Sequence, residues 1–159
     1  RRGLVPSRGF GMARATTAQA DPGDPRISIE EVDATTVETF SRVLAEGWNL
    51  DHTPTANVNH LIIAAPERRE RLFLARCEGE PAAVASYVAF PRSAHLVGGV
   101  VLPRFRGLGL YRALVRARMA DAHARGIPLA TSHARETTSA PILAKLGFAA
   151  IAPFMRYFS

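Results

Sequence analysis

The sequence predicts an α/β fold, α+β in arrangement, in which a central mixed, mostly antiparallel sheet is flanked by helices. Three observations predict it. Short apolar, β-branched runs recur between Gly, Pro and acidic turn signals. Four segments instead repeat their apolar residues at helical spacing or lie between helix start and stop signals. The strands cluster in the middle of the chain, ahead of a strand–helix–strand unit whose two strands should run parallel. With 159 residues, 47% of them apolar, the chain suits one domain with a sizeable core.

Residues 1–25 read as a flexible N-terminal tail. They carry Asp21-Pro22-Gly23-Asp24-Pro25 and show no sustained period. The folded domain is expected to span 26–159. Ile27–Val32 alternates like a half-buried strand. Asp33 suits a helix N-cap, and Val37, Phe40 and Leu44 then recur at helical spacing up to Gly47, a suitable stop. After an irregular stretch, Thr55 to Ala65 forms a second short helix. Leu72–Glu78 and Ala83–Phe90 are strands joined by a turn at Glu78-Gly79-Glu80-Pro81. Ala94–Leu102 is the next strand. A helix from Gly109 to Ala124 follows, with Leu110, Ala113, Leu114, Ala117 and Ala120 on its inner stripe and Gly126 behind it. Ile127–His133 is a strand, Ser139–Leu146 a short helix stopped by Gly147, and Phe148–Phe158 supplies one or two final strands.

Composition excludes several classes. No apolar run reaches the roughly 20 residues of a membrane helix, and Arg1-Arg2-Gly3-Leu4 is not followed by a signal-peptide core, so no membrane association is expected. Cys77 is the single cysteine, which excludes a disulfide framework, fits a buried small hydrophobe, and suits a cytoplasmic setting. No residues stand at metal-ligand spacing. The net charge is +6, almost all of it from arginine, since Lys145 is the only lysine. That charge is spread along the chain and not interleaved with aromatics, which argues against nucleic-acid binding and leaves room for an anionic ligand.

One stretch carries chemical information: Val101-Leu102-Pro103-Arg104-Phe105-Arg106-Gly107-Leu108-Gly109-Leu110-Tyr111-Arg112. A strand ends at proline, an Arg-Gly-x-Gly turn follows, and a helix starts at once. Gly107 and Gly109 have no Cβ, so the backbone can turn sharply and approach a ligand. The first helical amides lack internal partners and, with the positive end of the helix dipole, attract an anion. Arg106 and Arg112 add charge-assisted donors. A phosphate or pyrophosphate is the natural ligand. A dinucleotide fingerprint would need a third glycine, where Arg112 stands, and no Gly-Lys-Ser/Thr is present for a nucleotide-binding P-loop.

The pattern Val101-x-Pro103-x-x-Arg106-Gly107-x-Gly109, the helix with Leu114, and Leu146-Gly147-Phe148 some way downstream resembles the GNAT superfamily of N-acetyltransferases over about 27–158. The resemblance implies acetyl-CoA as co-substrate, no metal, and transfer of the acetyl group to a primary amine by direct attack in a ternary complex. It implies that Gly99, Val100 and Val101 pair with the pantetheine arm, that Gly107, Leu108, Gly109, Leu110, Tyr111 and Arg112 hold the pyrophosphate, and that the strands at 94–102 and 127–133 splay apart around the co-substrate. Many members carry a late-helix tyrosine that protonates the thiolate; the matching position here is Leu143. An asparagine that often contacts pantetheine is replaced by Glu136, with Thr138 or Ser139 available instead.

The base is implied at His95, which stands where some members carry a glutamate, or at His133, which shares a strand face with Thr131. Trp48, Asp51 and His52 fall in the loop expected to shape the acceptor pocket, where an aromatic and an acid can bind a cationic amine; the competing reading is core packing for Trp48 and helix capping for Asp51. The acceptor is a small-molecule or peptide amine, and a homodimer is one option for assembly. A non-catalytic acyl-CoA-binding or sensory domain of a larger chain is the alternative function.

Overall fold

The structure is a computed structural model describing residues 5–18 and 23–158. Its strands are β1 (Val5–Ala15), β2 (Ile27–Glu31), β3 (Glu70–Cys77), β4 (Glu80–Ala89), β5 (Ser93–Val101), β6 (Leu129–Arg135) and β7 (Ala149–Phe158). Its helices are α1 (Val37–Trp48), α2 (His52–Ala64), α3 (Leu110–Ala124) and α4 (Ser139–Lys145), and a short 3-10 turn spans Pro103–Phe105. One mixed sheet has the order β2-β3-β4-β5-β6-β1-β7. All pairs are antiparallel except β5 with β6.

The largest departure from expectation is β1. Residues 5–15 are not a tail: they pair with β6 on one side and β7 on the other. Gly9, Gly11 and Pro6 resemble loop punctuation, yet Phe10 and Met12 alternate inward against the core while the two glycines take the opposite face. The folded unit therefore includes residues ahead of position 26.

Two cores lie on the two faces of the sheet. Leu96, Ala130 and Ala134 join Leu110, Leu114, Val115 and Met119 of α3 and Leu143 of α4. On the other face, Val37, Phe40 and Val43 of α1 cover Leu72, Leu74 and Val84. The helix α1 does not stop at Gly47 but runs to Trp48, and Asn49 ends it in the left-handed region at φ 52°. Gly47 serves close packing: a Cβ there would meet both methyl carbons of Val100, Cγ1 at 2.9 Å. Asp33 accepts from the Thr35 and Thr36 amides in a turn ahead of α1, whose N-cap position is Thr36. Glu78 (φ 51°) and Gly79 (φ 85°) make the tight β3–β4 hairpin.

The buried stripe of α3 also differs from expectation. It consists of Leu110, Leu114, Val115, Arg118, Met119 and Ala122, with Ala113, Ala117 and Ala120 at its margins. An arginine thus stands inside the core.

Candidate active site

The strands β5 and β6 pair only from Ser93↔Leu129 to Leu96↔Ser132. Past those residues they diverge. The cause is a bulge in β5: Val84 faces Val100 and Ser86 faces Val97, so Gly98 and Gly99 are accommodated opposite Ala85 alone. Gly98 takes φ 64°, which a side-chain-bearing residue rarely adopts. Arg118 fastens the bulge. It is 2% exposed, and its Nη1 donates to the carbonyls of Ser86 (2.8 Å) and Val97 (3.3 Å), while Nε donates to Leu114 (3.0 Å). Burial lowers its pKa to about 10.

The divergence opens a cleft of about 740 Å³. Gly98–Val101 form one wall, and Ser132, His133, Arg135, Thr138 and Ser139 the other. Trp48, at the end of α1, lines it too. Because β6 leaves β5 past Leu96 while β4 stays paired on the other side, the edge of β5 there faces the cleft and can pair with an extended ligand.

At one end the cleft meets the glycine turn through Arg106 and Tyr111. Gly107 and Gly109 take φ 82° and 87°. Ala113 makes the first helical bond, to the Gly109 carbonyl at 3.0 Å, so the amides of Leu110, Tyr111 and Arg112 stand ahead of the helix ladder. A Cβ at Gly107 or Gly109 would meet nothing within 4 Å, leaving the turn's outer surface open to a ligand. Tyr111 is turned away from the loop, its ring under Gly99 at 3.1 Å from a Cβ built there; desolvation raises its pKa. Arg112 is exposed at the start of α3.

The opposite face of the sheet, shared with α1, carries a polar cluster. His95 Nδ1 lies 3.0 Å from Thr131 Oγ1. The His95 and His133 rings are 5.0 Å apart, edge to face. The Phe154 ring packs edge-on against His133, also at 5.0 Å. Arg156 Nη2 stands 3.4 Å from His133 Nδ1, with its guanidinium 5.3 Å from the Phe154 centroid. Desolvation, and then the charges of His133 and Arg156, hold the His95 pKa below its ordinary 6.5.

The structure therefore brings His95, His133, Trp48, Gly99, Val100, Val101, Arg106, Tyr111 and Ser139 to one cleft. Asp51 and His52 do not line it. Asp51 occupies the N-cap position of α2, and His52 Nε2 faces Glu38 of α1 at 3.0 Å, with His60 beside the same carboxylate at 3.5 Å. The contact with Glu38 ties the His52 side chain to α1. Phe154, Arg156 and Arg118 escaped sequence reasoning, because their roles depend on strand neighbours and carbonyls distant in sequence. Leu143 is fully buried and offers no acid. Tyr157, on the exposed edge strand, does not line the cleft.

The sequence model of the Acetyltransferase (GNAT) family matches residues 36–148. The chain belongs to the GNAT acetyltransferase family. No curated protein matches the chain. Among solved structures, a GCN5-related N-acetyltransferase from Kribbella flavida superposes with TM-score 0.69 at 18% identity, covering 98% of this chain and 59% of its own. Another from Sphaerobacter thermophilus gives 0.73 at 16%, covering 98% and 53%. This GNAT chain thus spans little more than half of those two. The aminoglycoside N-acetyltransferase AAC(6')-Iy in complex with CoA gives 0.72 at 19%, covering 84% and 94%. These likenesses establish that the GNAT fold is shared. No helix among the described residues is long and apolar enough to cross a membrane.

Proposed function

We propose that this GNAT domain transfers an acetyl group from acetyl-CoA to a primary amine in a ternary complex. The observation that carries the reading is the splayed β5–β6 cleft, which joins the open amides of the Gly107–Arg112 turn to the His95–His133 cluster. The turn suits a pyrophosphate: left-handed glycines, amides outside the helix ladder and the Arg106 and Arg112 guanidinia. The bulged Gly99–Val101 edge suits an extended pantetheine arm, with Thr138 and Ser139 on the facing wall.

Acetyl-CoA, when bound, supplies an activated acyl thioester. The chain's own groups do the rest. His95 is the base. This role requires the tautomer in which Nδ1–H donates to Thr131 Oγ1, 3.0 Å away, so that the Nε2 lone pair is left for the acceptor's proton. The depressed pKa keeps His95 neutral, hence competent, near pH 7. His133, whose Nδ1 is beside Arg156, orients the His95 ring edge-on. Amides on the free edge of β5 are placed to donate to an acyl oxygen. With Leu143 in place of an acid, water returns the proton to the weakly basic thiolate.

Calorimetric titration with acetyl-CoA and, separately, NADH tests the cofactor. Micromolar binding of acetyl-CoA alone supports the reading; NADH binding that acetyl-CoA fails to displace would replace it. The buried Leu143 favours a second reading, a non-catalytic acyl-CoA-binding domain, which thiol release with any amine would exclude.

A further inference from the structure

We infer that the acceptor amine carries an anionic group, a carboxylate or a phosphate, and that Arg156 receives it. The inference rests on the acetyltransferase reading and names the substrate class of that site.

The first observation is the charge of the cleft. Among the described residues that line it are Arg106, Arg118, Arg135, Arg156, His95 and His133, and no Asp or Glu. Two of these arginines are committed elsewhere. Arg118 is buried on main-chain carbonyls, and Arg106 stands at the glycine turn beside the Val101 carbonyl, at 3.4 Å. Arg135 lies over the Trp48 ring, at 5.9 Å, and Arg156 stands beside His133. A cleft lined by one sign of charge with low-dielectric walls concentrates its field inward and repels a ligand of the same sign. A polyamine or a polycationic aminoglycoside would enter against that field.

The second observation is the location of Arg156. It lies on β7, which β1 separates from β6, so its backbone stands about 10 Å from that of β6 while its guanidinium reaches back to His133 at 3.4 Å. Its side shares a face with Phe154, His133 and His95, whereas α3 packs on the other face. Two strands, β6 and β1, stand between β7 and β5, whose end leads into the glycine turn, so the charge of Arg156 serves a different ligand group.

The third observation is its company. Many arginines of this protein meet carboxylates: Arg68 and Arg71 share Glu31, Arg76 meets Glu30 and Arg104 meets Glu46. Arg156 instead contacts the Phe154 ring and the His133 imidazole. Stacking on a ring fixes the guanidinium plane and leaves its edge for a bidentate anion. An amine anchored by its anionic group at Arg156 would extend back over His133 toward His95.

The test is an acyl-transfer panel read by thiol release, run beside acetyl-CoA calorimetry on the same protein. It pairs amino acids with their amides and O-phosphoethanolamine with ethanolamine, and includes spermidine. The expected result is a kcat/KM at least tenfold higher for the anionic member of some pair, with carboxylate and phosphate arms separating the two sources. Arg156→Gln should erase most of that preference through KM, and Arg156→Lys should restore part of it, with acetyl-CoA affinity retained in both. Equal rates within every pair, a preference for spermidine or the neutral amines, or no transfer to any amine by protein that binds acetyl-CoA would each overturn the proposal. Failure to bind acetyl-CoA would instead sink the acetyltransferase reading, and the proposal with it.

Discussion

The Phe154 ring lies across Gly9. A Cβ built on Gly9 would collide with Phe154 Cζ and stand 2.5 Å from the Ala134 carbonyl oxygen. Gly9 faces Phe154 on β7 and Arg135 on β6, so it sits between the strands that carry Arg156 and His133. Its missing side chain lets an aromatic from one strand reach over the next and touch His133. Gly9→Ala should destabilise the fold by about 1–3 kcal/mol through overpacking against backbone that cannot yield. It should also lower kcat by more than it weakens acetyl-CoA binding. Urea unfolding and steady-state kinetics check both parts.

Arg118 is the pin of the β5 bulge. Arg118→Met keeps an unbranched stem and loses the donors, leaving the Ser86 and Val97 carbonyls without them. Losing charge-assisted bonds of this kind costs about 2 kcal/mol each, partly offset because the buried cation no longer has to be desolvated. A net loss of about 1–3 kcal/mol in urea unfolding is expected, with acetyl-CoA affinity falling about tenfold as the bulge relaxes. Affinity equal to wild type in the folded variant would show that the bulge holds its form unaided.

His95 should titrate below 6.5 in an NMR pH series, because desolvation and the neighbouring His133 and Arg156 charges oppose its proton. Arg156→Gln removes one of those charges, so the His95 midpoint should rise. The unfolded chain binds this proton more readily than the folded one. The stability that neutral His95 permits is therefore complete above pH 6.5 and is lost as pH falls through the lower folded-state value. A midpoint at or above 6.5 would remove the argument for His95 as a neutral base.

Gly109→Asp tests the turn. The left-handed φ of 87° costs a non-glycine residue about 1–2 kcal/mol, while the open space around its Cβ spares the fold a clash. The added carboxylate should weaken acetyl-CoA binding about a hundredfold by calorimetry, through charge and bulk at the phosphate-binding amides. Unchanged affinity in the folded variant would refute the assignment of the turn.

Much of this fold was legible because its signals are local. The Glu78-Gly79 hairpin, the Arg106–Gly109 turn and the Gly147 stop (φ 84°) each announce themselves in a few residues. The strand β1 was not legible, because Gly9 and Gly11 read as loop residues until their neighbours are known. Arg118 was missed for a similar reason: a charged residue in an inner stripe makes sense only beside carbonyls from two other strands. The glycine turn forms where its sequence signals stand, and His95 and His133, the two candidate bases, line the same cleft, while their roles belong to the proposal. Asp51 and His52 stand outside the lining of this cleft, and the contact of His52 with Glu38 was not legible because its partner comes from another helix. Phe154 and Arg156 reach the cleft only by virtue of β1 lying between β6 and β7.

That interleaving also sets an order of events for the growing chain. The first described strand leaves the ribosome well before either of its neighbours, since Gly9 must wait for Arg135 on one side and Phe154 on the other. Closing so long a loop is entropically slow. The β2–β5 half can settle through the β3–β4 and β4–β5 hairpins and the α1–α2 connection, while β6, β1 and β7 come together last. A newly made molecule would thus acquire its glycine turn before the surface that carries Phe154 and Arg156.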